Sequence, residues 1–288
     1  MAHQFVHLKI HTEFSLVDGI VRIKDLVKLA GADQQVALSI TDQSNMFALV
    51  KFYNACLGAG IKPILAADLY IENEDDLANP YNMTFYAQND KGYRNLTELV
   101  SSGFTENQHH DKAQIKKQWL LDKNEGLIAL SGFKRGDIGA ALLKDKNDEA
   151  KGHLGFWLKA FPNRFYLELQ RTGRDGDELL VRQTLLLADE KQIPVVATND
   201  VRFIKSDDYE AHETRVCIGE SVTLDDPRRE QRYSDQQYLK TQEEMSELFK
   251  DIPSALSNTV EIASRCSVQV LLGKYFLPEF PIPDGLTE

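Results

Sequence analysis

The chain has 288 residues, of which 42% are hydrophobic and 27% charged, with a formal net charge of −11. That length buries a sizeable core in one large α/β domain or two smaller ones, and the acidic excess argues against a broad nucleic-acid-gripping face, which needs clustered Lys and Arg. The N-terminal Met-Ala-His-Gln lacks the basic and apolar regions of a secretory signal, and no apolar run reaches membrane-spanning length, so a cytoplasmic location and no membrane partner are expected.

The first patterned stretch is "FVHLKIHTEF". Read as a strand over 5–11, it puts His7, Lys9 and His11 on one face and Val6, Leu8 and Ile10 on the other. Two histidines one residue apart on a strand form a frequent metal-binding arrangement, but here a lysine takes the place of one of the pair. "IKDLVKLAGA" follows with Ile23, Leu26, Val27 and Ala30 at helical spacing, then "VALSIT" (36–41) as a buried strand and "NMFALVKFYNACLGAG" as a helix ending at Gly58 and Gly60. "KPILAADLYI" and "MTFYAQN" read as strands and "GYRNLTELVSSGF" as a helix. "GLIALS" (126–131), "FYLELQ" (165–170) and "PVVATND" (194–200) complete a set of about seven strands, each of these three trailed by a helical stretch. This alternation predicts a mostly parallel α/β sheet, closed by analogy with the eightfold barrel. The tail reads as two helices broken at Pro253 and an extended, Pro-rich exit, "LPEFPIPDGLTE", beyond which the intact polypeptide is expected to continue. Cys56, Cys217 and Cys266 are widely spaced among apolar residues and read as buried free thiols.

Parallel barrels carry their chemistry at the C-terminal ends of the strands. Those ends supply Lys9 and His11 with Asp18 just beyond, Asp42 and Gln43, Asp68, Ser131 and Phe133, Glu168, Gln170 and Arg171, and finally Asp200 and Arg202. A lone carboxylate at a strand end is usually a cap or a turn former, but convergence of several on one rim weakens that explanation. A polynuclear metal centre needs several histidines and carboxylates. This rim offers one well-placed histidine, with Lys9 and Arg202 where ligands belong, so it reads as an ion-pair network of those cations with Asp18, Asp68 and Asp200. "DDPRREQRY" holds Arg228, Arg229 and Arg232, offset by Asp225, Asp226 and Glu230, and reads as a solvated surface loop.

The segments "FVHLKIHTEFSLVDG", "GIKPILAADLYI", "NDKGYRNLTELVSSG", "NEGLIALSG", "PVVATNDVRF", "LDDPRR…RY" and "LPEFPIPDG" together resemble the N-terminal PHP (polymerase and histidinol phosphatase) domain of the bacterial replicative DNA polymerase III alpha subunits, in the right order along essentially the whole chain. The resemblance implies a distorted seven-stranded (β/α)7 barrel of TIM-like PHP fold over 1–270, followed by an extended linker, 271–288, toward a polymerase palm domain. In members with an intact site, His, Asp, Glu and Cys ligands hold up to three metal ions. The corresponding positions here are Lys9, His11, Asp18, Gln43, Asp68, Phe104, Phe133, Asp200 and Arg202. His11, Asp18 and Asp200 keep the family's residue type, and Asp68 stands where glutamate is usual. Lys9, Gln43, Phe104 and Arg202 occupy histidine positions, and Phe133 the cysteine position. His109 and His110, in a divergent loop, read as surface residues.

The resemblance therefore implies a vestigial site without metal, cofactor or catalytic residue, on a domain that supports the polymerase core and docks a proofreading exonuclease subunit. Any contact with DNA is expected to be weak or indirect. The enzyme alternative is a metal-dependent phosphoesterase or 3′–5′ exonuclease using His11, Asp18, Asp68 and Asp200, and a third reading has the Arg228–Arg232 loop touching DNA.

Overall fold

The computed structural model describes residues 5–275; residues 276–288, which hold the whole of the Pro-rich exit, lie outside the described residues. In chain order the elements are α1 (Ile23–Ala32), β1 (Ala37–Ile40), α2 (Leu49–Gly58), β2 (Lys62–Ile71), β3 (Tyr81–Ala87) and α3 (Asp90–Glu106). Then come β4 (Gln108–His109), β5 (Lys112–Ile115), α4 (Lys117–Asp122), β6 (Leu127–Leu130), α5 (Asp137–Leu143) and α6 (Asn147–Ala160). The last third holds β7 (Phe165–Gln170), α7 (Asp177–Lys191), β8 (Val195–Thr198), α8 (Tyr209–Glu220), α9 (Gln242–Leu248) and α10 (Pro253–Arg265). Local chemistry sets the ends. Asn89 caps α3 by accepting from Gly92 N, Thr241 and Glu244 form a capping box on α9, and Pro253 opens α10 at its first turn, where the missing N–H costs nothing.

The sheet is α/β and mixed. β1 pairs parallel with β2, β6 with β7, and β7 with β8, as the mostly parallel expectation has it, while β3 runs antiparallel to both β2 and β6. The short β5 adds to the far end of β2, and β4 pairs with it. The regular ladder is open between β1 and β8. Residues 5–12 run through that gap with isolated bonds: Ser39 N to His7 O at 3.0 Å and Thr41 N to Ile10 O at 2.8 Å on one side, Val201 N to Lys9 O at 3.1 Å and His11 N to Val201 O at 2.9 Å on the other. This segment with β1, β2, β3, β6, β7 and β8 makes the seven staves of a distorted barrel.

The expected regular strand over 5–11 does not form, and the reason is countable. On the β1 side the step from 39 to 41 advances two residues, while the matching step on the first segment, from 7 to 10, advances three. The surplus residue acts as a bulge and reverses the pleat. Before it, Val6 and Leu8 join Ile64, Ala66, Tyr86, Ile128, Leu130, Tyr166 and Val196 in one apolar cluster, with Ile262 and Ala263 of α10 against it. After it, Lys9 and His11 share the inner face. His7 is left off that face: its Nε2 donates to Lys240 O at 2.7 Å and its ring stands edge-on to Phe5.

Alternation along the other staves builds the rest. The opposite parity, including Leu69, Phe85, Leu167 and Ala197, packs against helices through Leu96, Leu154, Trp157 and Leu180. Each such fully buried Leu or Phe side chain contributes about 1.5–3 kcal/mol. On the inner parity the apolar floor gives way to polar residues toward one mouth: Asp68 follows Ala66, Glu168 follows Tyr166, Thr198 follows Val196, and Thr84 pairs with Asp68 across the antiparallel strands. Cys56, Cys217 and Cys266 are buried and free, and burial pushes the Cys56 and Cys266 thiols up to about 12.

Candidate functional site: a cation-filled barrel mouth

Two cations sit at the centre of the mouth. Lys9 Nζ lies 3.1 Å from Asp68 Oδ2 and 3.8 Å from Glu168 Oε2, and donates to Thr84 Oγ1 at 3.0 Å. Arg202 is fully buried and holds Asp18 Oδ2 and Asp200 Oδ1 at 2.6 Å each. His11 bridges the halves, with Nε2 2.8 Å from Asp68 Oδ2 and Nδ1 2.6 Å from Arg202 Nη1. Outside this core, Arg135 approaches Asp18 at 3.5 Å and Arg174 approaches Asp200 at 3.8 Å, while the Tyr233 hydroxyl donates to Asp18 and Gln237 Nε2 to Asp200 at 2.9 Å. The carboxylates Asp18, Asp68, Glu168 and Asp200 are thus matched by Lys9, Arg135, Arg174 and Arg202.

The electrostatics follow from burial working against pairing. Burial alone would discharge Lys9, but Asp68 and Glu168 outweigh it and hold the ammonium above its ordinary range. Burial likewise opposes ionisation of Asp18, Asp68 and Asp200. Arg202 and Arg135 at Asp18, Lys9 at Asp68, and Arg202 and Lys9 at Asp200 win, and all three stay below the usual carboxylate range. Asp200 adopts a φ of +49° and Phe133 one of +47°, the latter uncommon for a bulky residue.

Not all the predicted positions converge. Lys9, His11, Asp18, Asp68, Asp200 and Arg202 form one cluster. Gln43 borders it, donating to Asp68 O at 3.2 Å and accepting from Asn82. Phe133 is buried but belongs to the main apolar core with Ile138 and Leu142. Phe104 does not reach the mouth: it lies in the last turn of α3, 46% exposed. His109 and His110 stand at β4 and the turn after it, and His110 is exposed. Glu168 was visible as a strand end without a partner, whereas Thr84, Arg135, Arg174, Tyr233 and Gln237 carried no local signal.

The 225–235 loop corrects another expectation. Arg228 is solvated, with its side chain 87% exposed, but Arg229 tucks its side chain onto the buried Glu213, and Tyr233 reaches the mouth. The loop roofs one side of a cavity of about 730 Å³ over the cluster, lined also by Lys134, Arg135, Arg174 and Tyr209. Beneath it His212 is buried edge-on to Tyr233, with neither ring nitrogen hydrogen-bonded, and burial brings its pKa down to about 4.

The donor set does not fit a metal cluster. His11 supplies the imidazole, and Arg202 and Asp68 engage both its nitrogens. An ammonium and a guanidinium lie among the carboxylates that would otherwise face a dication. Among the described residues no group of three or more His, Cys, Asp or Glu side chains is disposed to hold a metal ion, and no helix is long and apolar enough to cross a membrane.

A seven-staved barrel with its polar mouth at the strand ends belongs to a known class. Residues 7–172 match the PHP domain family, and the chain belongs to that family. It is 54% identical over 287 residues to the DNA polymerase III subunit alpha of Pseudomonas fluorescens, covering 100% of this chain and 24% of that protein. It is 48% identical over 288 residues to the same subunit of Escherichia coli K12, covering 99% and 25%. The chain thus spans about a quarter of the length of the curated relatives it matches. Among solved structures, an amidohydrolase from Chromobacterium violaceum superposes with a TM-score of 0.49 at 12% identity, over 73% of this chain and 96% of that one.

Proposed function

We propose that this chain is the catalytically silent PHP domain of a replicative DNA polymerase. In this reading it works in the cytoplasm as a scaffold for the polymerase core, extending over 1–270 with 271–288 as the linker, and as the docking module for a proofreading exonuclease subunit. Polymerisation and proofreading are carried out elsewhere in the assembly. The observation that carries this reading is Arg202 lodged between Asp18, Asp200 and His11, with Lys9 beside Asp68. Metal-assisted hydrolysis needs a dication to activate water, and here protein cations already neutralise the carboxylates.

Elemental analysis of protein purified without chelators tests the silent site. Zinc, manganese and iron are expected far below one equivalent, with no phosphoesterase turnover above background. Stoichiometric metal, or turnover abolished by His11→Ala, would overturn the reading. The docking role is tested separately by co-elution with the exonuclease subunit.

A further inference from the structure

The apolar face of helix α2 extends beyond its buried edge. Leu49, Phe52, Tyr53 and Cys56 are buried. Phe47, just before the helix, and Val50 and Leu57 within it are 70%, 48% and 54% exposed. At about 3.6 residues per turn, Val50 and Leu57 fall on one line along the helix, roughly 40–60° round from Tyr53. Scattered exposed apolar residues are ordinary, but a stripe down a helix whose other face is already packed calls for a cover.

The route of the chain indicates which cover. After α10, Ser267 N donates to Gln88 O at 2.8 Å, and Val268 and Val270 pack against Leu49, Tyr53, Leu65 and Ala87. The exit is therefore held on the apolar cluster to which α2 contributes Leu49 and Tyr53. Leu271 and Leu272 follow directly along the chain and are 59% and 46% exposed. The curated relatives extend over about four times this length, and in the reading proposed above the remainder of such a polymerase would be tethered to this exit. Tethering raises the effective concentration of whatever follows, which favours it over any free partner for an adjoining surface.

We infer that the Phe47–Val50–Leu57 stripe, with Leu271 and Leu272, is the seat of the polymerase portion that follows this domain in the longer chain, leaving the exonuclease subunit a different face. The inference rests on the reading of this chain as part of a replicative polymerase.

The test is thiol accessibility. Val50→Cys and Leu57→Cys are placed separately in the full-length alpha chain and in residues 1–288. Alkylation of each introduced thiol is followed by mass spectrometry of its peptide, relative to unfolded protein. Both sites are exposed, so folding is not at risk, and the buried native thiols of the described residues give little background. The expected result is alkylation at least tenfold slower in the full-length chain alone than in residues 1–288. Equal rates would overturn the inference. So would slowing that appears only when the exonuclease subunit is added, or slowing in residues 1–288 that grows with concentration, which would assign the stripe to a second copy. Metal content of the same preparations reports on the silent site independently: bound zinc alongside a protected thiol would sink that reading and leave this one standing.

Discussion

Arg202 points Nη1 at Nδ1 of His11 from 2.6 Å. A guanidinium has no acceptor, so Nδ1 must receive the bond, and Nε2 then carries the proton it donates to Asp68. The imidazole lone pair that a metal would take is committed to a side chain. Lys9 and Arg202, with Arg135 and Arg174 outside them, thus supply the positive charge that Asp18, Asp68, Glu168 and Asp200 require, and they do so without dependence on metal supply.

Lys9→Ala is expected to destabilise the domain by about 3–5 kcal/mol, because it leaves Asp68 and Glu168 buried beside each other without their cation. Glu168 Oε2 already has no hydrogen bond and depends on Lys9 alone. Urea unfolding measures the loss. Adding Asp68→Asn should recover at least ~1 kcal/mol, since residues in one buried network couple; strict additivity would mean the pair is solvated.

Arg202→Ala should be at least as damaging, because two carboxylates and His11 lose a partner together. Arg228→Ala is the matched comparison: its pair with Asp226 sits at the surface and should leave the urea midpoint unmoved. Equal effects from the two changes would contradict the burial argument.

Saturating zinc or manganese should leave the melting temperature unchanged. A native-state ligand at a hundredfold its Kd would add about 2.7 kcal/mol and raise it visibly. Calorimetry with and without metal decides this.

Acid unfolding should proceed in two stages. Burial lowers the pKa of His7 and of His212 to about 4, so below the unfolded value of about 6.5 the unfolded chain binds protons that the fold refuses. Stability therefore falls as pH drops from about 6.5 to 4, by up to roughly 3 kcal/mol per histidine. The depressed carboxylates behave oppositely in range: the stability from Asp18, Asp68 and Asp200 is complete above their unfolded value, about 4, and is lost only as pH falls further, toward their folded values. His212→Phe should flatten the upper stage by about half and spare the lower. Melting curves across pH 7 to 2 read both stages.

Regular elements were legible where burial is one-sided or complete. "IKDLVKLAGA" spans α1 and "KPILAADLYI" and "FYLELQ" span β2 and β7 residue for residue, because helical spacing in one and largely apolar runs of strand length in the others leave little alternative. The antiparallel β3 was not legible, since strand direction is fixed by loop paths and not by residues 81–87. "FVHLKIH" misled for a related reason. Its alternation is real, but the bulge arises only from mismatch with the spacing of β1. At the mouth, the strand-end positions singled out Lys9 and Arg202 with their three aspartates. Arg135, Arg174, Tyr233 and Gln237 reach it from loops whose folding no local pattern encodes, and Phe104 was placed by linear order through a divergent stretch.

The surplus residue between His7 and Ile10 makes this segment sensitive to length more than to composition. Up to Leu8 the side chains keep the beat of the floor; from Lys9 onward they keep the beat of the mouth. Removing one residue between positions 7 and 10 would restore an even ladder with β1, yet it would turn either Lys9 and His11 outward or Val6 and Leu8 away from the floor. Point substitutions here subtract one interaction at a time, while a single-residue deletion puts a whole stave out of phase. The segment should therefore tolerate changes in its letters far better than changes in their number.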